Sequence, residues 1–147
     1  MKKIITLSLH FTSLVFATSQ LAGEKLNILF IAIDDLKPTI GAYTNAVPTP
    51  AMDRIAARGT TFLNAHCQQA VCGPSRASAL TGKYPDFTQI WDLKTKIRAI
   101  HPEIITLTQH FKNNGYLTAG VGKIFDPRNV DKGADSRSWS EAYTQIW

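Results

Sequence analysis

The sequence has only two cysteines, no internal repeat, no low-complexity tract and no cluster of basic residues. With 44% apolar and 18% charged residues, its composition excludes intrinsic disorder and a collagen-like repeat. The 16 basic and 11 acidic residues are scattered along the chain. Because a nucleic-acid interface needs a basic patch, we expect no nucleic-acid partner. The 147 residues are enough for one ordinary domain.

The sequence also lacks an apolar run long enough to span a membrane. Residues 4–17 are largely apolar, but a transmembrane helix needs about 20 such residues. Lys2 and Lys3 precede this run, and small residues follow it, which is the order of a secretory signal peptide. We therefore predict a signal peptide at residues 1–22, a secreted or periplasmic location and no stable membrane insertion. A membrane anchor is the alternative.

Residues 26–33 form a nearly continuous apolar run, typical of a strand buried on both faces of a parallel sheet. The run stops at Asp34 and Asp35, and functional groups gather at the carboxyl ends of such strands. Further short strands are predicted at residues 60–65 and 116–121. Strands alternating with helices indicate an α/β fold, with a mostly parallel central sheet flanked by helices. Three strands are too few to close such a core, so we expect the fold to be incomplete in this chain.

Helix boundary signals are clear at three places. Thr49 is a predicted N-cap, and Thr106 is another. A third helix is predicted to begin just after Cys72 and to end near Gly82. Residues 83–103 are mixed in character and are predicted to be mainly loop.

The most informative segment is residues 72–82, Cys-Gly-Pro-Ser-Arg-Ala-Ser-Ala-Leu-Thr-Gly. It resembles the sulfatase signature, which reads Cys or Ser, any residue, Pro, Ser, Arg, three residues, and Leu-Thr-Gly. Every specified position matches. Residues 68–72 and 121–125 look most like the iduronate-2-sulfatase branch of that family. The resemblance covers residues 27–139 and implies that residues 23–147 are the N-terminal part of an alkaline-phosphatase-like catalytic domain, truncated in this chain.

The resemblance also implies a catalytic site. In the family a separate formylglycine-generating enzyme oxidises the signature cysteine, here Cys72, to formylglycine, which hydrates to a diol. Asp34 and Asp35, together with residue 72, correspond to ligands of one divalent cation, calcium in the family. Arg76 would hold the diol, and Lys123 would contact both the diol and the sulfate. The expected reaction is hydrolysis of sulfate esters, with sulfated glycans such as glycosaminoglycans as the substrate class.

Elementary physics agrees with this assignment. A helix that opens at Cys72 would place the reactive group at a positive helix end, which favours a sulfate. Arg76 lies one helical turn along, so its side chain can reach the same end. Its guanidinium keeps its proton and offers several donors.

One position departs from the family pattern. The family commonly has a histidine three residues after the lysine, and this sequence has Asp126 there. An acid would repel sulfate, so Asp126 puts full catalytic competence in doubt.

Other interpretations of the site remain open from sequence. A helix N-terminus would also lower the pKa of a thiol, so unmodified Cys72 is a rival nucleophile. A Cys67–Cys72 disulfide is possible in an exported protein, although Cys67 is better explained as a small buried residue. The substrate could be a phosphate or phosphonate ester. The chain could also be a catalytically incomplete, non-enzymatic fragment.

Overall fold

The computed structural model describes residues 25–44, 46–144 and 146. The predicted signal peptide at residues 1–22 lies outside these residues. The chain divides into two units, residues 1–30 and 31–147, and the described part of the first unit, residues 25–30, contains no helix or strand. Among the described residues, no helix has the length and apolar character that crossing a membrane requires.

In the described residues of the second unit, the regular structure consists of five short α-helices and one 3-10 helix. They are α1 (Pro50–Ala56), α2 (Cys72–Thr81), α3 (Pro85–Thr88), α4 (Ile97–Ile100), α5 (Leu107–Asn113) and the 3-10 helix Ser136–Ser138. The segment 83–103 is mainly loop, as predicted, but it also contains α3 and α4.

The predicted helix boundaries are confirmed, because they depend on local chemistry. Thr49 is the N-cap residue of α1, although its hydroxyl does not cap a backbone N–H. The Thr106 side chain accepts a hydrogen bond from the Gln109 N–H at 3.1 Å and so caps α5. Helix α2 ends at Gly82, whose φ of 66° closes the helix while its N–H donates to the Ser78 carbonyl at 2.8 Å.

Helix α2 lies at the centre of the packing. Leu80 belongs to one apolar cluster and Ala77 to a second, and because the two are three residues apart they lie on one face of α2. The first cluster joins Leu80 to Phe125, Val130 and Trp139, and the second joins Ala77 to Ile90 and Ile97. Both clusters fix the orientation of α2, and therefore of the residues at its N-terminus.

The predicted strands are not formed in the described residues. Residues 26–33, 60–65 and 116–120 have no strand pairing, and the one β contact among the described residues is an isolated parallel bridge between Val121 and Thr144. A strand in a sheet requires hydrogen bonds to a neighbouring strand, and residues 26–33 have no such neighbour among the described residues. Their side chains are not covered either, since Leu26 and Leu29 are 76% and 83% exposed. The apolar pattern predicted strands at these runs, and the described residues do not confirm them.

Candidate active site

Asp34 is held by two cations from distant parts of the chain. Arg76 Nη2 donates to its Oδ1 atom at 2.8 Å, and Lys123 Nζ donates to its Oδ2 atom at 2.6 Å. The pKa of Asp34 is below its ordinary value. The largest cause is the hydrogen bond from Arg76, and the second is the hydrogen bond from Lys123. The carboxylate is therefore charged and fixed in direction by both partners.

Asp35 has a backbone conformation that few residues with a side chain adopt. Its φ is 53°, in the left-handed region where aspartate is tolerated better than most residues. Such outliers concentrate at functional sites, where the surrounding structure maintains them. A carboxylate oxygen of Asp35, one of Asp34 and the Cys72 sulfur all lie within 4.8 Å of one another. The two predicted metal ligands Asp34 and Asp35 thus lie next to the predicted nucleophile.

Cys72 is the first residue of α2, as expected from Pro74 and Ser75 in the following positions. Its thiol is free and half-buried, and it lines a cavity of about 880 Å³ that Asp34, Asp35 and Arg76 also line. Helix α2 directs its N-terminal end to this cavity, where its unpaired N–H groups favour an anion.

Cys67 differs from the sequence prediction. It is exposed rather than buried, and it is a free thiol that lines the same cavity as Cys72. It lies in an irregular loop before α2, outside both apolar clusters, so nothing covers it. No disulfide joins the two cysteines.

Arg76 ties α2 to a segment 47 positions later in the sequence. Its Nη1 atom donates to the Lys123 carbonyl and, at 3.0 Å, to the Ile124 carbonyl, while Nη2 binds Asp34. The side chain is 12% exposed. These contacts place the guanidinium beside Asp34, and they hold the backbone that carries Lys123.

Lys123 lies beside Asp34. Its side chain is 22% exposed, and its ammonium group binds the Asp34 carboxylate. That hydrogen bond raises the pKa of Lys123, and the nearby Cys72 sulfur raises it further by a smaller amount. Lys123 is therefore cationic and close to the predicted nucleophile.

Asp126 does not present a bare negative charge, contrary to what its sequence position indicates. Its side chain is fully buried, and Arg128 donates to both carboxylate oxygens at 2.9 Å from Nε and Nη2. This hydrogen bonding from Arg128 lowers the pKa of Asp126. Arg128 was not identified from the sequence as a partner of Asp126. The position of this arginine two residues after the acid could have indicated the pair.

The structure brings together all five residues predicted for the site, namely Asp34, Asp35, Cys72, Arg76 and Lys123. Two carboxylates offer oxygen ligands to a hard cation, while an arginine and a lysine provide positive charge for an anionic substrate. The free thiol of Cys72 at a helix N-terminus completes the set. This combination suits the transfer of an anionic group such as a sulfate.

Comparison with known proteins gives the same assignment. The family model described as Sulfatase matches residues 26–140. The chain is 43% identical over 122 residues to iduronate 2-sulfatase of Mus musculus, 42% over 120 residues to iduronate 2-sulfatase of Homo sapiens, and 39% over 115 residues to an ulvan-active sulfatase of Formosa agariphila. These alignments cover 81%, 80% and 76% of this chain but only 22% of each relative. Because the family model covers most of the sequence, including the two acids, the cysteine signature and the lysine, this chain belongs to the sulfatase family.

Proposed function

We propose that this chain supplies the nucleophile and part of the metal site of a sulfuric ester hydrolase. The observation that carries the proposal is the grouping of Asp34, Asp35 and Cys72 ligand atoms within 4.8 Å, with Arg76 and Lys123 bound to Asp34 beside them. Isolated aspartate pairs are common on protein surfaces. Two acids beside a cysteine at a helix N-terminus, with two cations bound to one of the acids, form a site for an anionic ester.

The donor atoms support a hard divalent cation, calcium by analogy with the family. Carboxylate oxygens of Asp34 and Asp35 suit calcium, whereas a cysteine sulfur is a soft ligand that calcium disfavours. Oxidation of Cys72 replaces its sulfur by oxygen, so the modified residue fits the same cation better than the thiol does. Calcium takes six to eight ligands. The proposal therefore includes further ligands from the rest of a catalytic domain.

In the proposed reaction, residue 72 acts after a formylglycine-generating enzyme has oxidised its thiol-bearing carbon to an aldehyde with an external two-electron oxidant and has released the sulfur as sulfide. One hydroxyl of the hydrated aldehyde then loses its proton and attacks the ester sulfur, the sulfur–oxygen bond to the alcohol breaks, and the alcohol leaves with a proton. The second hydroxyl of the diol loses its proton, the bond between residue 72 and the sulfate oxygen breaks, and sulfate leaves as the aldehyde re-forms. Arg76 and Lys123 stabilise negative charge on the sulfate oxygens, and a cation held by Asp34 and Asp35 would supply Lewis-acid polarisation. Arg76 also binds the backbone at Lys123 and Ile124, which holds the two cationic side chains in position near residue 72.

The proposed substrates are sulfate esters of glycans, in line with relatives that are named for iduronate and for ulvan. Export to the periplasm or outside the cell follows from the predicted signal peptide. In the complete domain, residues 26–33 would join the mostly parallel sheet that the family fold implies.

The test is turnover of 4-nitrophenyl sulfate by the full-length enzyme, produced together with a formylglycine-generating enzyme. Cys72→Ala should reduce turnover to background, because the variant lacks the signature residue that the modifying enzyme would oxidise. Cys67→Ala is the matched control and should keep turnover, since that thiol lies outside the signature. Full activity of Cys72→Ala would refute the proposal. Faster turnover of 4-nitrophenyl phosphate than of the sulfate would favour a phosphate ester hydrolase instead.

A further inference from the structure

Asp126 and Arg128 form a clamp, a bidentate ion pair within one tight turn. The Arg128 backbone N–H also donates to Asp126 Oδ1 at 3.1 Å, so three hydrogen bonds hold the acid. Asp126 is 2% exposed, whereas the Arg128 side chain is 51% exposed. The buried acid thus fixes the direction of an exposed guanidinium.

The guanidinium keeps binding capacity after it has made this pair. Its Nε and Nη2 atoms bind Asp126, and Nη1 makes no hydrogen bond to any residue in the described ranges. Within that same part of the chain, Asp126 is the one carboxylate within ion-pair distance of Arg128. A guanidinium has five N–H donors, so donors remain for another oxyanion.

The clamp is adjacent to the candidate active site. Asp126 Oδ2 lies 2.9 Å from Arg128 Nη2 and 3.7 Å from Lys123 Nζ, so this oxygen stands between the two cations. The pKa of Arg128 is raised, first by its hydrogen bond to Asp126 and more weakly by Coulombic interactions with the site residues Cys72 and Asp34. Arg128 therefore acts in the electrostatic neighbourhood of the predicted nucleophile.

We propose that Arg128 is an additional anion-binding residue of this active site, which contacts a sulfate oxygen of the substrate, and that Asp126 is the residue that positions it. The inference rests on the proposed sulfatase function. It explains how an acid can occupy position 126 without repelling sulfate: the acid is covered, and the positive charge is presented two residues later. A guanidinium does not lose its proton, so Arg128 binds the anion and does not protonate the leaving group.

The experiment measures binding of inorganic sulfate to the full-length enzyme by calorimetry, together with the inhibition constant of sulfate against 4-nitrophenyl sulfate. Arg128→Gln should weaken sulfate binding about 10- to 100-fold, the range for loss of a charged hydrogen bond. Arg128→Lys, which keeps the charge, should recover part of the loss. Arg137→Gln is the matched control, because Arg137 is also about half exposed, pairs with Glu103, and should leave sulfate binding unchanged.

A second variant guards against a folding effect. Asp126→Asn with Arg128→Gln removes both charges, so no buried acid is left without its cation, and sulfate binding should still be weak. In Asp126→Asn alone, Arg128 remains but is less firmly held, so the loss should be smaller and should increase with ionic strength. If both the single Arg128→Gln variant and the double variant bind sulfate within twofold of the parent enzyme, the inference is overturned.

This outcome can be separated from failure of the proposed function. Calorimetry with sulfate needs no turnover, so weaker binding by Arg128→Gln in an enzyme that hydrolyses no sulfate ester would support anion binding and reject the sulfatase activity. If the Arg128 variants bind sulfate as the parent enzyme does and the enzyme hydrolyses the sulfate ester, the sulfatase activity is supported and the role of Arg128 is rejected.

Discussion

The Lys123 Nζ atom lies 2.6 Å from Asp34 Oδ2, although 89 positions separate the two residues. Asp34 is 38% exposed, and exposed ion pairs contribute about 0–1 kcal/mol to stability. Such a contact is too weak to explain the fold. Its effect is to place an ammonium group beside Asp34, a carboxylate that lines the same cavity as Cys72.

Asp34→Asn should therefore affect cation binding far more than stability. We expect the melting temperature of the full-length enzyme without added metal to shift by only a few degrees, because less than about 1 kcal/mol is lost. The calcium concentration that restores activity after treatment with a chelator should rise at least tenfold. A large loss of stability with unchanged calcium dependence would mean that Asp34 is a structural residue.

The Asp126–Arg128 pair predicts a pH-dependent contribution to stability. The pKa of Asp126 is lower in the folded chain than its ordinary value of 3.8, so the stabilisation is present above that value and is lost as the pH falls through the folded pKa. Asp126→Asn should cost about 1–3 kcal/mol at neutral pH. The difference from the parent enzyme should vanish in acid.

Urea unfolding from neutral pH to below the ordinary aspartate value measures this difference. Glu141→Gln is the control, because Glu141 is exposed, and its effect should be small at every pH. An Asp126→Asn penalty that stays constant in acid would contradict the ion pair.

The chemical state of Cys72 can be determined on a single tryptic peptide, residues 59–76, which also contains Cys67. Formylglycine makes this peptide about 18 Da lighter than the dithiol form, whereas a disulfide makes it about 2 Da lighter. Because Cys67 is exposed and free, we expect the lighter peptide to take up one alkyl group, at Cys67. Two alkyl groups would show that Cys72 remains a thiol.

Thr106→Ala should destabilise the fold at α5. The Thr106 hydroxyl accepts a hydrogen bond from the Gln109 N–H. It is also hydrogen-bonded to the Ser138 hydroxyl, and this contact joins α5 to the 3-10 helix. We expect a loss of about 0.5–2 kcal/mol, measured as a fall in melting temperature. Thr106→Ser keeps the oxygen and should stay close to the parent enzyme; an equal loss in both variants would exclude the cap as the cause.

The sequence predicted local features well and long-range ones poorly. The N-caps Thr49 and Thr106 and the stop at Gly82 were predictable, because each depends on a few neighbouring residues. The strands were not, since pairing requires partners that apolar periodicity does not specify. Lys123 was found through family resemblance and not from its surroundings, where a lone lysine has no distinguishing pattern.

Asp126 shows the limit of judging a residue by its charge alone. From sequence, its acid group counts against sulfate binding. In the structure the acid is buried and paired with Arg128; the spacing could have suggested that arginine, but the burial cannot be derived from residue type.

The 47-position separation between Arg76 and its backbone partner at Lys123 has a consequence for synthesis. At about 5–20 residues per second, a ribosome needs roughly 2–10 s to extend the nascent chain from one residue to the other. Throughout that interval, the cysteine at position 72 is made but the backbone that binds Arg76 is not. Under the proposed function, a modifying enzyme would have a period of seconds in which to reach the thiol before that contact forms.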